Sequence, residues 1–316
     1  MVHWRARPEF RVETLMTESV SAGSAAVSLS SEGPDATLAA LIERPVTITQ
    51  PRVRRAPFVF TSPHSGDAYA PSFVASTRLD RLALRRSEDA FVDELFASVP
   101  MQGALLLSAR FPRAYVDVNR AANEIDPVMF EGGTKPSVPL SARVAAGLGV
   151  IPKVVRDGVE IYGKRLPPEE AAFRLEAFYR PYHETLETLL RQTKAQFSQA
   201  ILVDCHSMPP VPKGHDIIIG DRHGSACAPE LSARVEGILK GEGFSVGRNS
   251  PYAGGFTTSH YGQPKEGVHA IQIEVNRGLY LDEKRMERSS GFTACREALA
   301  RFIARIVEAH PPISRN

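Results

Sequence analysis

From residue 57 onward the chain alternates short runs of apolar, β-forming residues with longer stretches of helical periodicity, and that alternation limits the folds open to it. The runs lie at 58–62, 104–108, 200–204, 216–220, 245–248 and 270–275 and are rich in Val, Ile, Leu, Phe and Ala. Strands that are apolar on both sides have no face to give to water. They predict a sheet covered on both faces by helices, an α/β fold. The segment 168–199 places apolar residues at Phe173, Leu175, Phe178, Tyr182, Leu186 and Leu189, the stripe of an amphipathic helix. Pro167 and Pro168 stand near its start, where proline is tolerated. A second long helix is expected over 282–309. With 43% apolar residues, residues 49–316 read as a single domain.

Residues 1–48 have a different texture. They are rich in Ser, Ala, Thr and Glu, and 19–31 holds too little large apolar surface to offset the entropy of ordering it. This predicts a mobile N-terminal extension, with Met16 as an alternative start. The 38 Lys and Arg nearly balance 36 Asp and Glu, for a net charge of +2. That balance gives no reason to expect a nucleic acid or an anionic membrane, and it favours a small-molecule partner. No apolar run approaches the roughly 18 to 20 residues of a spanning helix, and the N-terminus lacks a secretory apolar region. Cys205, Cys227 and Cys295 are odd in number and lack CxxC spacing, which points to a reducing, cytoplasmic location.

Four segments carry candidate chemistry. The run 58–62 leads into Pro63-His64-Ser65-Gly66, a histidine at a strand end followed by a turn-permitting glycine. A lone histidine there is more often structural than a metal ligand. The run 200–204 ends in Asp204-Cys205-His206, a second strand-end histidine with a carboxylate two residues away, so that a metal pair competes evenly with a plain hydrogen bond. In Ile271-Gln272-Ile273-Glu274-Val275-Asn276-Arg277 an acid interrupts an apolar strand. Buried there, Glu274 must be paired, for instance with Arg277, or must serve as a base of raised pKa. Finally, Asp117 and Asn119 share one face by period-2 spacing, and Arg120 follows with a guanidinium suited to a substrate carboxylate. Cys205, alternating away from His206, is a poor nucleophile candidate, and His183 is set aside with it.

In this order, Pro63-His64-Ser65-Gly66, Asp117-x-Asn119-Arg120, Asp204-x-His206-Ser207, Gly254-Gly255-Phe256-x-Thr258-x-His260-Tyr261-Gly262 and Glu274 resemble the N-formylglutamate amidohydrolase family, from about Pro57 to the final helix. The resemblance implies a three-layer α/β/α sandwich around a mixed, mostly parallel eight-stranded sheet. That architecture is similar to the zinc carboxypeptidases, the phosphorylase/hydrolase-like folds and the succinylglutamate desuccinylase and aspartoacylase group. It also implies zinc (Zn2+) held by His64 and His206, Glu274 as general base, and Asn119 with Arg120 on the substrate α-carboxylate. His260 and Tyr261 would lie on a Gly-rich loop approaching the substrate. The third ligand is left among Asp89, the preferred residue, Glu88 and Asp67. Asp89 and Glu88 lie in a helix expected to start at a Ser87 cap and run to Phe96, where acids would equally complement the helix dipole.

The reaction implied is hydrolysis of N-formyl-L-glutamate to formate and L-glutamate, which in family members closes a histidine-degradation route. Arg277, Arg222 or a loop amide would stabilise the oxyanion. The same metal and base would serve a deacylase of another N-acyl amino acid or a carboxypeptidase-like hydrolase of small peptides. A metal-free small-carboxylate binding protein is the non-enzymatic alternative, and it would have no use for a buried strand acid.

Overall fold

The computed structural model describes residues 35–155, 158–211 and 213–310. Most of the expected extension thus lies outside the described residues, but its last part is ordered. Ala36–Glu43 forms helix α1, capped by the Asp35 side chain on the Leu38 N–H, and Val46–Thr49 forms strand β1. The boundary at residue 49 is therefore too late. β1 is largely exposed and pairs on one side only, so it lacks the apolar run by which the inner strands are recognised.

The other strands are β2 (Phe58–Ser62), β3 (Leu105–Ala109), β4 (Ala200–Met208), β5 (Ile217–Gly220), β6 (Val246–Arg248) and β7 (Val268–Asn276). The sheet order is β1-β3-β2-β4-β7-β5-β6. The inner set β3, β2, β4 and β7 is parallel, whereas β1 runs antiparallel to β3 and β5 antiparallel to β7. The central sheet is thus mixed and mostly parallel, with seven strands rather than eight among the described residues. The short strands β8 (Leu281–Asp282) and β9 (Glu287–Arg288) form a separate hairpin.

That hairpin also shortens the helix expected over 282–309. The Asp282 carboxylate accepts the N–H groups of Lys284 and Arg285, a local turn that competes with helix, and Met286 turns through φ 54°. The helix, α10, runs only from Phe292 to Glu308. The stretch 168–199 is α6 (Glu170–Arg174), a π-turn (Leu175–Tyr179) and α7 (Arg180–Phe197). Between α1 and α6 lie the short helices α2 (Pro71–Ser76), α3 (Arg81–Arg85), α4 (Val92–Leu95) and α5 (Ala142–Ala145). After β5 come α8 (Pro229–Gly241) and, following β6, α9 (Phe256–Tyr261).

Strand alternation divides the interior in two. Phe58, Phe60, Ile201, Val203, Cys205, Ile271, Ile273 and Val275 point to one face and pack with α4, α8 and α10. Val59, Leu105, Leu107, Ala200, Leu202 and Ala270 point to the other, under α1, α2, α3 and α7. No helix among the described residues is long and apolar enough to cross a membrane.

Candidate metal and acyl-amide site

The site lies at the C-terminal ends of β2, β4 and β7, where strand alternation breaks from apolar to polar on one face only. Parallel register sets His206 of β4 beside Glu274 of β7 and Asp204 beside Gln272. These four side chains share the face opposite Cys205 and Ile273. His64 follows β2 by two residues and is fully buried. Gly66 is required there for close approach rather than for a left-handed turn, since a Cβ would come within 2.3 Å of the Phe111 carbonyl oxygen.

Asp89 joins the two histidines. No helix starts at Ser87; Asp89 sits in a turn before α4, its N–H donated to the His64 carbonyl at 2.9 Å, and Phe91 adopts a left-handed φ of 62°. In that turn the Asp89 carboxylate faces both imidazoles. Its Oδ2 is 3.2 Å from His64 Nδ1 and 3.0 Å from His206 Nδ1. The other oxygen, Oδ1, accepts from Ser207 Oγ and Arg277 Nη2, both at 3.1 Å. Glu88 points away, accepting from Tyr69 Oη and Arg85, and burial pushes its pKa up to about 7 against those two partners. Asp67 is exposed. Among the described residues, His64, Asp89 and His206 are the group of His, Cys, Asp or Glu able to converge on a metal, with ligand atoms within 4.8 Å of one another.

The far nitrogen of each imidazole faces a carboxylate. His64 Nε2 lies 2.8 Å from Asp117 Oδ1. Asp204 Oδ2 stands 2.9 Å from His206 Nε2, off the line of a hydrogen bond, while Asp204 Oδ1 accepts from Thr61 Oγ1 at 2.6 Å. A carboxylate on Nε2 holds the imidazole proton there and leaves Nδ1 free as a ligand. Two imidazoles and one carboxylate, converging in this way with Asp89 and His206 on the cavity wall, fit a tetrahedral metal with one position left over.

The charges agree. Burial alone would raise the Asp89 pKa, but the hydrogen bonds and charges of His206 and His64 hold it well below the usual carboxylate range. Burial would likewise depress His206, yet Asp204, Asp89 and Glu274 push it well up. Asp117 is held low against burial by Arg113, Arg120 and His64. Glu274 goes the other way: burial raises it to about 7, with His206 opposing and Asp89 reinforcing. Its hydrogen-bond partner is Gln272, whose Nε2 donates to Glu274 Oε1 at 2.6 Å while its own Oε1 accepts the Gly255 N–H at 2.8 Å. The ion pair between Glu274 and Arg277 does not form, because Arg277 is spent on Asp89, Ser207, the Glu88 carbonyl and Glu283.

Asp89, Asp117, His206, Gln272, Glu274 and Arg277 line a cavity of about 490 Å³ that also receives Arg113, Arg120 and Arg143, with His64 buried behind Asp89 and Asp117. Asp117, Asn119 and Arg120 are not on a strand. Their segment is an irregular turn in which Asn119 N–H folds back onto Asp117 Oδ1 at 2.9 Å. Asn119 is largely used internally: its Oδ1 accepts the Thr257 N–H and its Nδ2 stands 3.2 Å from His206 Nε2. Gly255 packs so closely here that a Cβ would lie 2.3 Å from Asn119 Nδ2.

His260 and Tyr261 do not reach the cavity. They are on helix α9 rather than a loop; Tyr261 Oη pairs with His183 Nδ1 at 2.9 Å and the His260 ring stacks on Phe256. His183 Nε2 in turn donates to the Val118 carbonyl, so this cluster braces the 117–120 turn from behind. Arg222 bonds the Gly254 carbonyl and is likewise outside the cavity lining. Sequence reasoning passed over Gln272, Arg113 and Arg143. The signal for Gln272 was its period-2 relation to Glu274, and that for Arg113 was its i, i+4 spacing to Asp117.

Residues 56–281 match the description of a known family, N-formylglutamate amidohydrolase. The chain belongs to the N-formylglutamate amidohydrolase family. It is 32% identical over 239 residues to N-formylglutamate deformylase of Pseudomonas aeruginosa, covering 73% of this chain and 84% of that protein. Identity to N-formylglutamate deformylase of Pseudomonas putida is 29% over 242 residues, 72% of this chain and 83% of the relative. The crystal structure of N-formylglutamate amidohydrolase from Ralstonia eutropha JMP134 superposes with a TM-score of 0.79 at 34% identity, covering 84% of this chain and 98% of that one. A gene product of Agrobacterium tumefaciens shares the fold at 16% identity, with a TM-score of 0.63 over 85% of this chain and 96% of its own.

Proposed function

We propose that this protein hydrolyses the amide of an N-acyl amino acid, N-formyl-L-glutamate first among them, at a zinc ion held by His64, Asp89 and His206. The observation that carries the reading is the convergence of both histidine Nδ1 atoms on one Asp89 oxygen, with Glu274 on the adjacent strand. The family relatives named N-formylglutamate deformylase supply the substrate.

When bound, zinc would polarise the acyl carbonyl and acidify a water molecule beside it. The chain's own residues do the rest. Asp117 keeps the His64 imidazole proton on Nε2, the Asp204 charge stands beside His206, and Arg277 with Ser207 aligns Asp89. Glu274, with a pKa near neutrality, takes a proton from the attacking water and returns it to the departing amine. Gln272 fixes the direction of that carboxylate, since its amide oxygen is committed to the Gly255 N–H. Arg120 gives Nε and Nη1 to the Leu148 and Asn119 carbonyls and holds Nη2 at 3.8 Å from Asp117 Oδ2, an ion pair beyond hydrogen-bond distance, and Arg113 donates only Nε to Asp117. Both can grip the substrate α-carboxylate, with the remaining N–H of Asn119 assisting. The helices on both faces of the sheet support the three-layer sandwich implied by the resemblance.

The test is formate release from N-formyl-L-glutamate, with acetate release from N-acetyl-L-glutamate alongside, by zinc-loaded protein and again after chelation. Zinc-dependent formate release is expected. Equal activity after complete metal removal would contradict the reading.

A further inference from the structure

The cavity carries more positive charge than its own acids answer. Its arginines are Arg86, Arg113, Arg120, Arg143 and Arg277, and its carboxylates are Asp89, Asp117 and Glu274. Each carboxylate is already met: Asp89 by two histidines and Arg277, Asp117 by His64 and Arg113, and Glu274 by Gln272. Among the described residues the guanidinium groups of Arg86 and Arg143 have no hydrogen-bond or ion-pair partner, and of these two it is Arg143 whose charge is felt at Arg120. Two guanidinium groups that repel each other across a cavity, one of them unanswered, suit an anionic ligand.

Arg143 is also built into a fixed relation with Arg120. It sits on α5, whose N-cap Ser141 accepts the Val144 N–H and donates to Glu124 Oε1. Glu124 Oε2 accepts the N–H of Ala121, the residue after Arg120. At the other end of the turn, Leu148 N–H bonds the Arg143 carbonyl, and the Leu148 carbonyl accepts Arg120 Nε at 2.9 Å. The turn carrying Arg143 is therefore pinned at both ends to the turn carrying Arg120. Arg113 lies within the field of Asp89 and Glu274, and Arg120 within that of both Arg113 and Arg143, so the three arginines share one cavity wall with the reacting groups.

We infer that Arg143 is the specificity-determining residue that meets the second carboxylate of the dicarboxylic substrate. This rests on the reading that the α-carboxylate occupies Arg113 and Arg120.

The experiment compares kcat/KM for N-formyl-L-glutamate and N-formyl-L-glutamine in the zinc-loaded full chain, in Arg143→Ala, Arg143→Lys and Arg86→Ala. Calorimetric binding of L-glutamate and L-glutamine to the same proteins gives a readout independent of turnover. The wild type should favour the glutamate compounds, and Arg143→Ala should reduce that preference about tenfold or more through KM, with the glutamine derivative within about twofold. Arg143→Lys should restore part of it and Arg86→Ala should leave it unchanged. A preference untouched by Arg143→Ala, a parallel loss for both substrates, or a collapse in Arg86→Ala alone would overturn the inference. So would a wild type that does not distinguish L-glutamate from L-glutamine, even if formate release stands. Discrimination in binding that depends on Arg143, without any formate release, would leave this inference intact and remove the proposed reaction.

Discussion

The two faces of β4 and β7 are made from the same strands and have opposite tasks. On one face Ile201, Val203, Cys205, Ile271, Ile273 and Val275 are fully or almost fully buried against α4, α8 and α10. On the other, the apolar residues stop at Leu202 and Ala270, and the next positions are Asp204, His206, Gln272 and Glu274. A buried charge is tolerated only when paired or ligating. The polar face therefore needs the carboxylates, Arg277 and Gln272 that surround it, while the apolar face holds the strands rigid enough for that network to keep its distances.

The comparison predicts that the two faces fail in different ways. The largest effect is expected at the polar face: His206→Ala should abolish zinc binding, read by metal analysis of the purified protein, and lower turnover about a thousandfold or more. Folding should largely persist, and a variant retaining full zinc and turnover would break the comparison. On the apolar face, Ile273→Ala should cost about 3 kcal/mol in denaturant unfolding while leaving kcat within about twofold. A large loss of kcat in a folded Ile273→Ala protein would mean that the faces are not separable. Arg120→Ala should act mainly on KM for α-carboxylate substrates, by about 10- to 100-fold. An unchanged KM would remove Arg120 from carboxylate binding. The pH profile sharpens the picture at smaller scale. Glu274 must be ionised to accept a proton, so kcat/KM should fall about tenfold per pH unit as pH drops below about 7. A flat profile down to pH 5 would exclude a base of that pKa.

Five of the six strands recognised in the sequence, all but the edge strand β6, are buried on both faces, because continuous burial leaves an unmistakable apolar run. Edge strand β1, with Thr47, Ile48 and Thr49 exposed, leaves none. The site's histidines and Glu274 were legible for a related reason: each interrupts or ends such a run. Asp89 was harder to separate from Glu88, since the choice is made by a left-handed turn at Phe91 that no periodicity encodes. The turn at 117–120 imitated a strand because Asp117 and Asn119 share period-2 spacing, whereas the fold uses Asp117 to cap Asn119 and to orient His64. His260 and Tyr261 follow two glycines and so read as a loop, yet they lie in α9 and pack on Phe256 and His183. Arg143 could not be read at all, because its tie to Arg120 runs through Glu124, Ser141 and a backbone carbonyl.

The most direct measurement is zinc content and formate release on one preparation of Glu274→Gln beside the wild type. The account predicts equal zinc in both, with turnover of N-formyl-L-glutamate reduced about 10²- to 10⁴-fold in the variant. Wild-type turnover in a zinc-replete Glu274→Gln protein would contradict it.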